Sequence, residues 1–448
     1  MTAKALTPVR MNLVAPLAHE ATDMHTTDTA ACRWARSGAA GTLIGTSLRS
    51  AGVDSAIVPP TPGTATSTTA TSTTTTAAPL AVRWPSADSD LFALLAQAYL
   101  DCRRTKRNSA SALAFEAMLE RNLYVLHSEL VAGTYRPGRS ICFAITRPRP
   151  REVWAAQFRD RVVHHLLYNH IAPRFEAGFV ADSCACIPGR GTLYAVRRLE
   201  HQVRSVTANW QRQASYLKMD LANFFVSIDK SVLFCQLARR IPEPWWLQLA
   251  ETVLMHDPRL DVEVRGRREL LALVPPHKSL FNAPSGHGLP IGNLSSQFFA
   301  NVLLNDFDQW VKHRLRAQHY VRYVDDFILV HQSPQWLHQA RLQIEEWLPQ
   351  HLHLQANPRK TIQQPVDRGI DFVGQVLKPW RRHTRRRTVS HAIERVHQIP
   401  KAELAPTANS YFGLLRQATA SHSDRAQLAN AVRRKGKAVN QPLTKTYA

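Results

Sequence analysis

The stretch "HYVRYVDDFILV", residues 319–330, places two adjacent aspartates between two short apolar segments. Apolar strands of about four residues that meet at an acidic turn predict a β-hairpin, with Asp325 and Asp326 at its tip. Charged side chains are among the least often buried in proteins. Two interpretations stay open: an ordinary surface hairpin whose turn needs polar residues, or a pair of carboxylates that holds a cation.

The composition favours a polyanionic partner. The 448 residues contain 56 Lys and Arg against 34 Asp and Glu, a formal net charge of +22. A charge of this size favours nucleic acid or an anionic membrane surface. No apolar run approaches the roughly 18 residues of a spanning helix, and no signal-peptide core is found. Nucleic acid, no membrane and a cytoplasmic location are therefore expected, with the six cysteines as free thiols.

The composition and the spacing of apolar residues change near residue 90. Residues 1–86 include the low-complexity run "TPGTATSTTATSTTTTAAP" and predict a disordered Thr/Ala/Pro-rich tail without a catalytic role. Helical apolar spacing begins at Leu91 and recurs up to a helix that is expected to end near Pro173. Residues 216–220 read as a strand, residues 258–287 as a hairpin or loop, and a long helix precedes the acidic hairpin.

A third carboxylate stands at the end of another apolar strand. Asp220 closes "YLKMD", 105 residues before Asp325. Carboxylates that cluster raise one another's pKa unless a cation neutralises them. Mg²⁺ prefers oxygen ligands and bridges carboxylates to phosphates. Two such ions can activate a hydroxyl and stabilise a leaving pyrophosphate, whereas the paired aspartates alone would be no more than turn residues.

Three motifs in a fixed order favour the cation-binding interpretation of the aspartates over a simple surface turn. Asp220 is followed by "LANFFVSID", with Phe225 five residues on; then comes "GLPIGNLSSQ" before a helix, and then the Tyr-Val-Asp-Asp hairpin. This order resembles that of the reverse transcriptases. The resemblance implies that Asp220 and Asp325 bind two Mg²⁺ ions, with Mn²⁺ a possible substitute, and that Asp326 supports them. It also implies that Phe225 is a steric gate that selects deoxynucleotides.

The second motif points to a subfamily. Most bacterial members carry QGxxxSP where this chain has residues 291–297, and the form with an apolar first residue resembles the reverse transcriptases of diversity-generating retroelements. The likeness covers about residues 90–430. It implies that Ile291, Gly292 and Gln297 contact the incoming nucleotide, that cDNA synthesis is error-prone at adenines, and that a basic accessory protein helps to bind the template RNA. An apolar residue in place of glutamine gives up polar discrimination.

Basic residues match positions of the family that contact phosphates. By the resemblance, Arg151 contacts the triphosphate of the incoming nucleotide and Lys360 a phosphate near the active site. The candidate nucleic-acid-binding residues are Arg190, Gly374, Lys378, Arg381, Arg382, Arg385, Arg386 and Arg387. Backbone phosphates would attract the run "WRRHTRRR", although a solvated basic loop is an alternative.

The predicted architecture is α+β, a right-hand polymerase with fingers, a ferredoxin-like or RRM-like palm sheet and a small helical thumb. Fingers are expected at residues 87–215, the palm at 216–380 with an inserted segment at about 255–288, and a basic helical thumb at 381–448. The expected partners are template RNA, primer, cDNA and dNTPs. Two alternatives remain: another bacterial reverse transcriptase role such as phage defence, and a non-catalytic RNA-binding protein that keeps the fold.

Overall fold

The computed structural model describes residue 84 and residues 90–104, 109–146 and 149–447. The predicted tail of residues 1–86 lies, apart from Trp84, outside the described residues, so its disorder stays a prediction. Helices and strands are both abundant in the described part, as the α+β prediction requires. None of the helices described there is long and apolar enough to cross a membrane.

The N-terminal part of the described chain is mainly helical. Leu91, Leu95 and Ala98 are buried at helical spacing, which is why the first segment folds as a helix. The helices are Leu91–Arg103, Ala110–Glu116, Leu119–Val131, Phe158–Glu176 and Thr192–Val206. The helix expected to end near Pro173 ends one turn later at Glu176, because a proline in the last turn removes only one donor and Ala177 N still donates to the carbonyl of Pro173.

The central sheet has four antiparallel strands in the order β5-β6-β3-β7. Their bounds are β3 Ser215–Asp220, β5 His319–Tyr323, β6 Asp326–His331 and β7 Ile362–Pro365. The Thr192–Val206 helix packs on one face through Leu199 and Val203. The long Leu294–His313 helix covers the other face, where Phe307 lies 5.0 Å from Phe327 between ring centroids. The sheet is therefore buried on both sides, and its strand ends carry the polar residues.

A second, three-stranded sheet corrects the prediction for residues 258–287. Strands β1, Ser140–Ile145, and β2, Arg151–Ala155, pair antiparallel, and β4, Val262–Val264, adds in parallel to β1. The segment therefore does not form a hairpin within itself. Its strand β4 pairs with β1, which lies much earlier in the chain. The helices of this part of the chain are Phe224–Ser227, Lys230–Ala238, Pro244–Met255 and Arg268–Ala272, with 3₁₀ turns at Pro276–Lys278 and Leu280–Asn282.

The C-terminal part combines a small sheet with a helical cluster. Strands β8, Ile370–Phe372, β9, Gln375–Lys378, and β10, Arg381–Thr384, form an antiparallel meander. The expectation of a helical segment from residue 381 is therefore wrong for β10, since helices begin only at Arg386. The remaining helices are Pro334–Leu352, Arg386–Gln398, Leu404–Leu415 and His422–Arg434, with 3₁₀ turns at Pro358–Lys360, Val366–Arg368 and Lys401–Glu403. The last three helices share an apolar core around Phe412.

Candidate active site

The three predicted carboxylates meet at one end of the central sheet. Asp220 is the last residue of β3 and lies directly opposite Asp326, the first residue of β6. The backbone extends this pairing, because Leu221 N donates to Asp325 O at 3.1 Å. Asp220 at the end of β3 therefore lies beside the turn that carries Asp325 and the start of β6 at Asp326, although 105 residues separate Asp220 from Asp325 in sequence.

The environment of these carboxylates favours a bound cation. Burial and the neighbouring Asp220 raise the pKa of Asp325 to about 6. Burial also raises the pKa of Asp326, an effect that the nearby Lys218 opposes. Oδ1 of Asp326 is buried without a hydrogen-bond partner. A cation close to these oxygens would relieve both the repulsion and the missing partner.

Two lysines contact the carboxylates. Nζ of Lys360 donates to both carboxylate oxygens of Asp220 at 2.8 and 2.7 Å, so the residue predicted to contact a phosphate does lie at the site. Lys218 was missed by the sequence reasoning. Its Nζ lies 3.1 Å from Oδ2 of Asp326 and donates to the carbonyl of Asp371 at 2.8 Å. The available signal was spacing: residues two apart on a strand share a face, and Lys218 precedes Asp220 by two.

The donors fit magnesium in their chemistry. In the described part of the chain no three His, Cys, Asp or Glu side chains already form a group that could hold a metal ion. Mg²⁺, however, is usually bound by one or two carboxylates, with water and substrate phosphates completing its octahedron. Asp220 and Asp325, with the unpartnered oxygen of Asp326 beside them, supply oxygen donors of that kind.

A cavity of about 150 Å³ gathers four of the six predicted nucleotide-binding residues. Phe225, Ile291, Gly292 and Gln297 come from two separate motifs and all line it. The sequence reasoning missed Cys186, an exposed thiol in the same lining. The other lining residues are Ser296, Ala300, Asn301, Leu304, Arg322 and Val324. The wall therefore offers mostly aliphatic and aromatic contact, with few free polar groups.

Backbone contacts with β2 fix the loop that carries Ile291 and Gly292. Ile291 O accepts a hydrogen bond from Trp154 N at 2.7 Å, which ties the loop to β2. Gly292 has φ +131°, and a Cβ there would lie 2.6 Å from the carbonyl oxygen of Trp154. Only glycine fits this close approach. The position of Ile291 in the cavity is thus set by β2 on one side and glycine on the other.

Arg151 lies apart from that cavity. It is the exposed first residue of β2, opposite Ile145 in the β1–β2 hairpin. The described residues around the cavity do not include it. A role in contacting the triphosphate stays a prediction.

The β9–β10 hairpin divides the predicted nucleic-acid-binding residues into two groups. Gly374, with φ +91°, forms the turn between β8 and β9, and Arg385 N donates to its carbonyl at 3.0 Å. The exposed Arg386 and Arg387 follow at this end. Lys378 pairs with Arg381 at the opposite end of the hairpin. Strands of four residues separate the groups by roughly 13 Å, so a single phosphate cluster is not formed.

Two of the arginines predicted to bind nucleic acid make contacts within the protein. Arg382 is 5% exposed, lies 2.8 Å from a carboxylate oxygen of Glu200, and donates to Gln375 and to the carbonyl of Gln417. Nη1 of Arg190 donates to the carbonyls of Val180 and Ser183, both at 2.7 Å. Burial leaves Arg382 little surface for a phosphate. Arg190 is partly exposed and only its Nη1 makes these bonds, so its contact with nucleic acid stays a prediction. Arg385 combines both features: its side chain is partly exposed, and its guanidinium group pairs with the carboxylate of Asp371.

Comparison with known proteins identifies the family of the chain. The family model described as reverse transcriptase (RNA-dependent DNA polymerase) matches residues 148–377, which is half of the chain. The chain belongs to the reverse transcriptase family. It is similar to Protein YkfC of Escherichia coli strain K12, with 24% identity over 334 residues, 67% of this chain and 81% of YkfC.

Two solved structures of telomerase are also similar. The structure of apo telomerase from Candida tropicalis, truncated from the C-terminal domain, has 12% identity and a TM-score of 0.39, and the match covers 54% of this chain. The structure of Candida albicans telomerase in complex with a fragment of telomeric RNA has 12% identity, a TM-score of 0.40 and 66% coverage of this chain. The chain spans just over half of each, 53% and 55%.

Proposed function

We propose that this protein is an active RNA-directed DNA polymerase, which extends a primer 3′-hydroxyl with dNTPs on a template RNA. The observation that carries the proposal is the convergence of Asp220, Asp325 and Asp326 at the ends of β3 and β6. A non-catalytic RNA-binding protein would gain nothing from three acids in a strongly basic chain, because they repel phosphate. The family membership supports the same reaction.

The residues of the site divide the work of nucleotidyl transfer. Two Mg²⁺ ions, or Mn²⁺ in their place, would lower the pKa of the attacking hydroxyl and stabilise the charge on the leaving pyrophosphate. Asp220 and Asp325 would hold them, with Asp326 in support. Phe225 in the cavity wall would exclude a ribose 2′-hydroxyl. Lys360 brings a positive charge to the same place, where the phosphates of a bound nucleotide would lie.

The particular role we propose is cDNA synthesis in a diversity-generating retroelement, with errors concentrated at adenines. Ile291 supports it, because the cavity it lines offers an incoming base mostly apolar contact. A site without buried polar partners penalises a wrong base less, since no group is left unpaired. A basic accessory protein that binds the template RNA is part of this proposal.

The first experiment is primer extension on a primed RNA template with Mg²⁺. We compare the wild type, the double variant Asp325→Ala plus Asp326→Ala, and a control, Asp306→Ala, which removes a partly exposed carboxylate that pairs with Arg239. The wild type and the control are expected to extend the primer, and the double variant is not. The double variant should melt no lower than the wild type, because raised carboxylate pKa values mean that burial of these charges costs stability.

Extension by the double variant would contradict the assignment of the carboxylates. No extension by the wild type, even with accessory protein and cognate template RNA, would favour a binding protein instead. Sequencing of the wild-type cDNA tests the retroelement role: errors enriched at template adenines support it, and errors spread evenly over the four bases contradict it.

A further inference from the structure

The turn that carries the catalytic aspartates has an unusual backbone. Val324 is the first of the two loop residues between β5 and β6, and its φ is +57°. A β-branched residue in the left-handed region is a true conformational outlier. Hairpin loops with positive φ at their first residue normally use glycine there. Some other group must therefore hold the backbone of Val324 in place.

The guanidinium group of Arg322 makes that contact. Nη1 of Arg322 donates to the carbonyl of Val324 at 3.0 Å, across the base of the turn. Arg322 is only 1% exposed, and its side chain is one of the largest fully buried side chains described. The strained residue and the buried cation are thus in direct contact, two residues apart.

Arg322 is itself immobilised by the surrounding elements. Nε and Nη2 donate to the two carboxylate oxygens of Asp308 at 2.7 and 2.6 Å. Nη2 also donates to Ser183 Oγ at 2.8 Å, and Nη1 to Asn301 Oδ1 at 3.3 Å. All five N–H donors of the guanidinium therefore have acceptors. The group bridges the Leu294–His313 helix, the loop around Ser183 and the catalytic turn.

The same cluster fixes the opposite wall of the nucleotide cavity. Asn301 Nδ2 donates to the carbonyl of Ala185 at 2.8 Å, and Cys184 N donates to Arg322 O at 3.0 Å. These bonds hold the two residues that precede Cys186, which also has a positive φ, +54°. Cys186 and Val324, both in left-handed conformations, line the cavity; Val324 bonds directly to Arg322, and Cys186 follows the two anchored residues.

We infer that Arg322 is a positioning residue, which holds Val324 in its left-handed conformation and thereby aims Asp325 and Asp326 while fixing the cavity wall. The inference rests on the proposed polymerase function. Arg322 contacts neither catalytic carboxylate, so it acts through the turn. A purely structural buried ion pair with Asp308 would stabilise the protein without controlling this turn.

Arg322→Lys separates the two roles. Lysine keeps a cation that faces Asp308, but a single nitrogen cannot also reach Ser183, Asn301 and the carbonyl of Val324. We expect kcat for primer extension to fall at least ~10-fold, because small displacements of reacting groups are costly. The Kd for primer–template, measured by fluorescence anisotropy, should stay within ~2-fold, because the donors of the buried Arg322 are all engaged by protein acceptors.

Val324→Gly distinguishes a positioning role of Arg322 from a purely structural one, because only a positioning role makes the loss of kcat depend on residue 324. Glycine adopts the left-handed region without support, so in the Val324→Gly background Arg322→Lys should lower kcat by less than ~3-fold. Arg161→Lys is the matched control, because Arg161 is a partly buried arginine whose Nε donates to the carbonyl of Ala156, away from the carboxylates. It should lower the melting temperature without a loss of kcat.

Hydrogen–deuterium exchange of peptides that span residues 319–331 tests the inference without activity. Arg322→Lys should speed exchange at the turn, Val324→Gly should suppress that difference, and Arg161→Lys should not change it. An equal loss of kcat in both backgrounds, or unchanged exchange, would overturn the inference. If Arg322→Lys does not fold, Ser183→Ala removes one anchor, and its smaller effects must show the same suppression. Absent extension by the wild type counts against the proposed polymerase function, and the exchange result then decides the inference alone.

Discussion

At the scale of single residues, the proposed function makes the side chain of Ile291 a determinant of copying fidelity. We predict that Ile291→Gln lowers the error frequency at template adenines roughly 5- to 100-fold. The physical reason is that a mispaired base leaves a buried amide unpaired, which costs about 1–3 kcal/mol. The measurement is deep sequencing of cDNA made by each variant on one template.

The control for this substitution is Ile362→Gln. Ile362 lies on β7 with 44% of its surface exposed, outside the cavity lining. Ile362→Gln introduces the same amide outside the cavity lining, and it should leave the error spectrum as in the wild type. Unchanged adenine errors in Ile291→Gln would mean that the infidelity has another source.

The residues that sequence reasoning missed share a cause. Asp220 and Asp325 were predictable because their motifs are local and occur in a recognisable order. The roles of Lys218, Cys186 and Arg322 depend on partners more than 100 residues away or on backbone conformation, such as the bond from Lys218 to Asp371. For Cys186 and Arg322 no local pattern encodes such contacts, whereas the two-residue spacing of Lys218 from Asp220 was a usable signal. The meeting of the carboxylates was therefore predictable, and most of the groups that surround them were not.

At the scale of elements, β10 shows why a basic run cannot be interpreted as one surface. Strand alternation exposes Arg381 and buries Arg382, so neighbours in sequence have opposite surroundings. No strand was predicted here, because "RRHT" carries no apolar alternation. Helices such as Leu294–His313 were predictable from their spacing. The pairing of β4 with β1 was not, because it joins distant segments.

We predict that the arginines of residues 381–387 fall into two classes, one that stabilises the fold and one that binds nucleic acid. Arg382→Met should lower the free energy of unfolding by about 3 kcal/mol, because it leaves the carboxylate of Glu200 without its buried partner. Its affinity for primer–template should stay close to that of the wild type. The triple variant Arg381→Ala, Arg386→Ala, Arg387→Ala should keep its stability but lower the slope of log K against log salt by about 2–3.

Urea denaturation and fluorescence anisotropy at several salt concentrations distinguish the two classes. A loss of salt dependence in Arg382→Met, at unchanged stability, would show that this side chain contacts nucleic acid after all. A triple variant with an unchanged salt slope would place the nucleic acid elsewhere on the protein.

At the scale of the whole molecule, the buried histidines should make stability depend on pH. Burial lowers the pKa of His164 to about 3, and His164 is 7% exposed in the Phe158–Glu176 helix. Burial also lowers the pKa of His165, His170, His256 and His319. Below the ordinary histidine pKa the unfolded chain thus binds more protons than the folded one. The contribution of the neutral histidines to the free energy of unfolding is complete above about pH 6.5 and is lost as the pH drops towards 3.

Asp325 has a raised pKa and acts in the opposite direction: its protonation between about pH 6 and 4 increases the free energy of unfolding as the pH falls.

A single variant isolates one histidine from these opposing groups. His164→Gln cannot titrate, so from pH 7 to pH 5 the wild type should lose about 2 kcal/mol more unfolding free energy than the variant. The exposed His201→Gln should follow the wild-type curve, because an exposed ring remains solvated in both states. Urea denaturation at both pH values measures the difference. Parallel curves for the wild type and His164→Gln would show that the folded protein accommodates a protonated His164, in conflict with its burial.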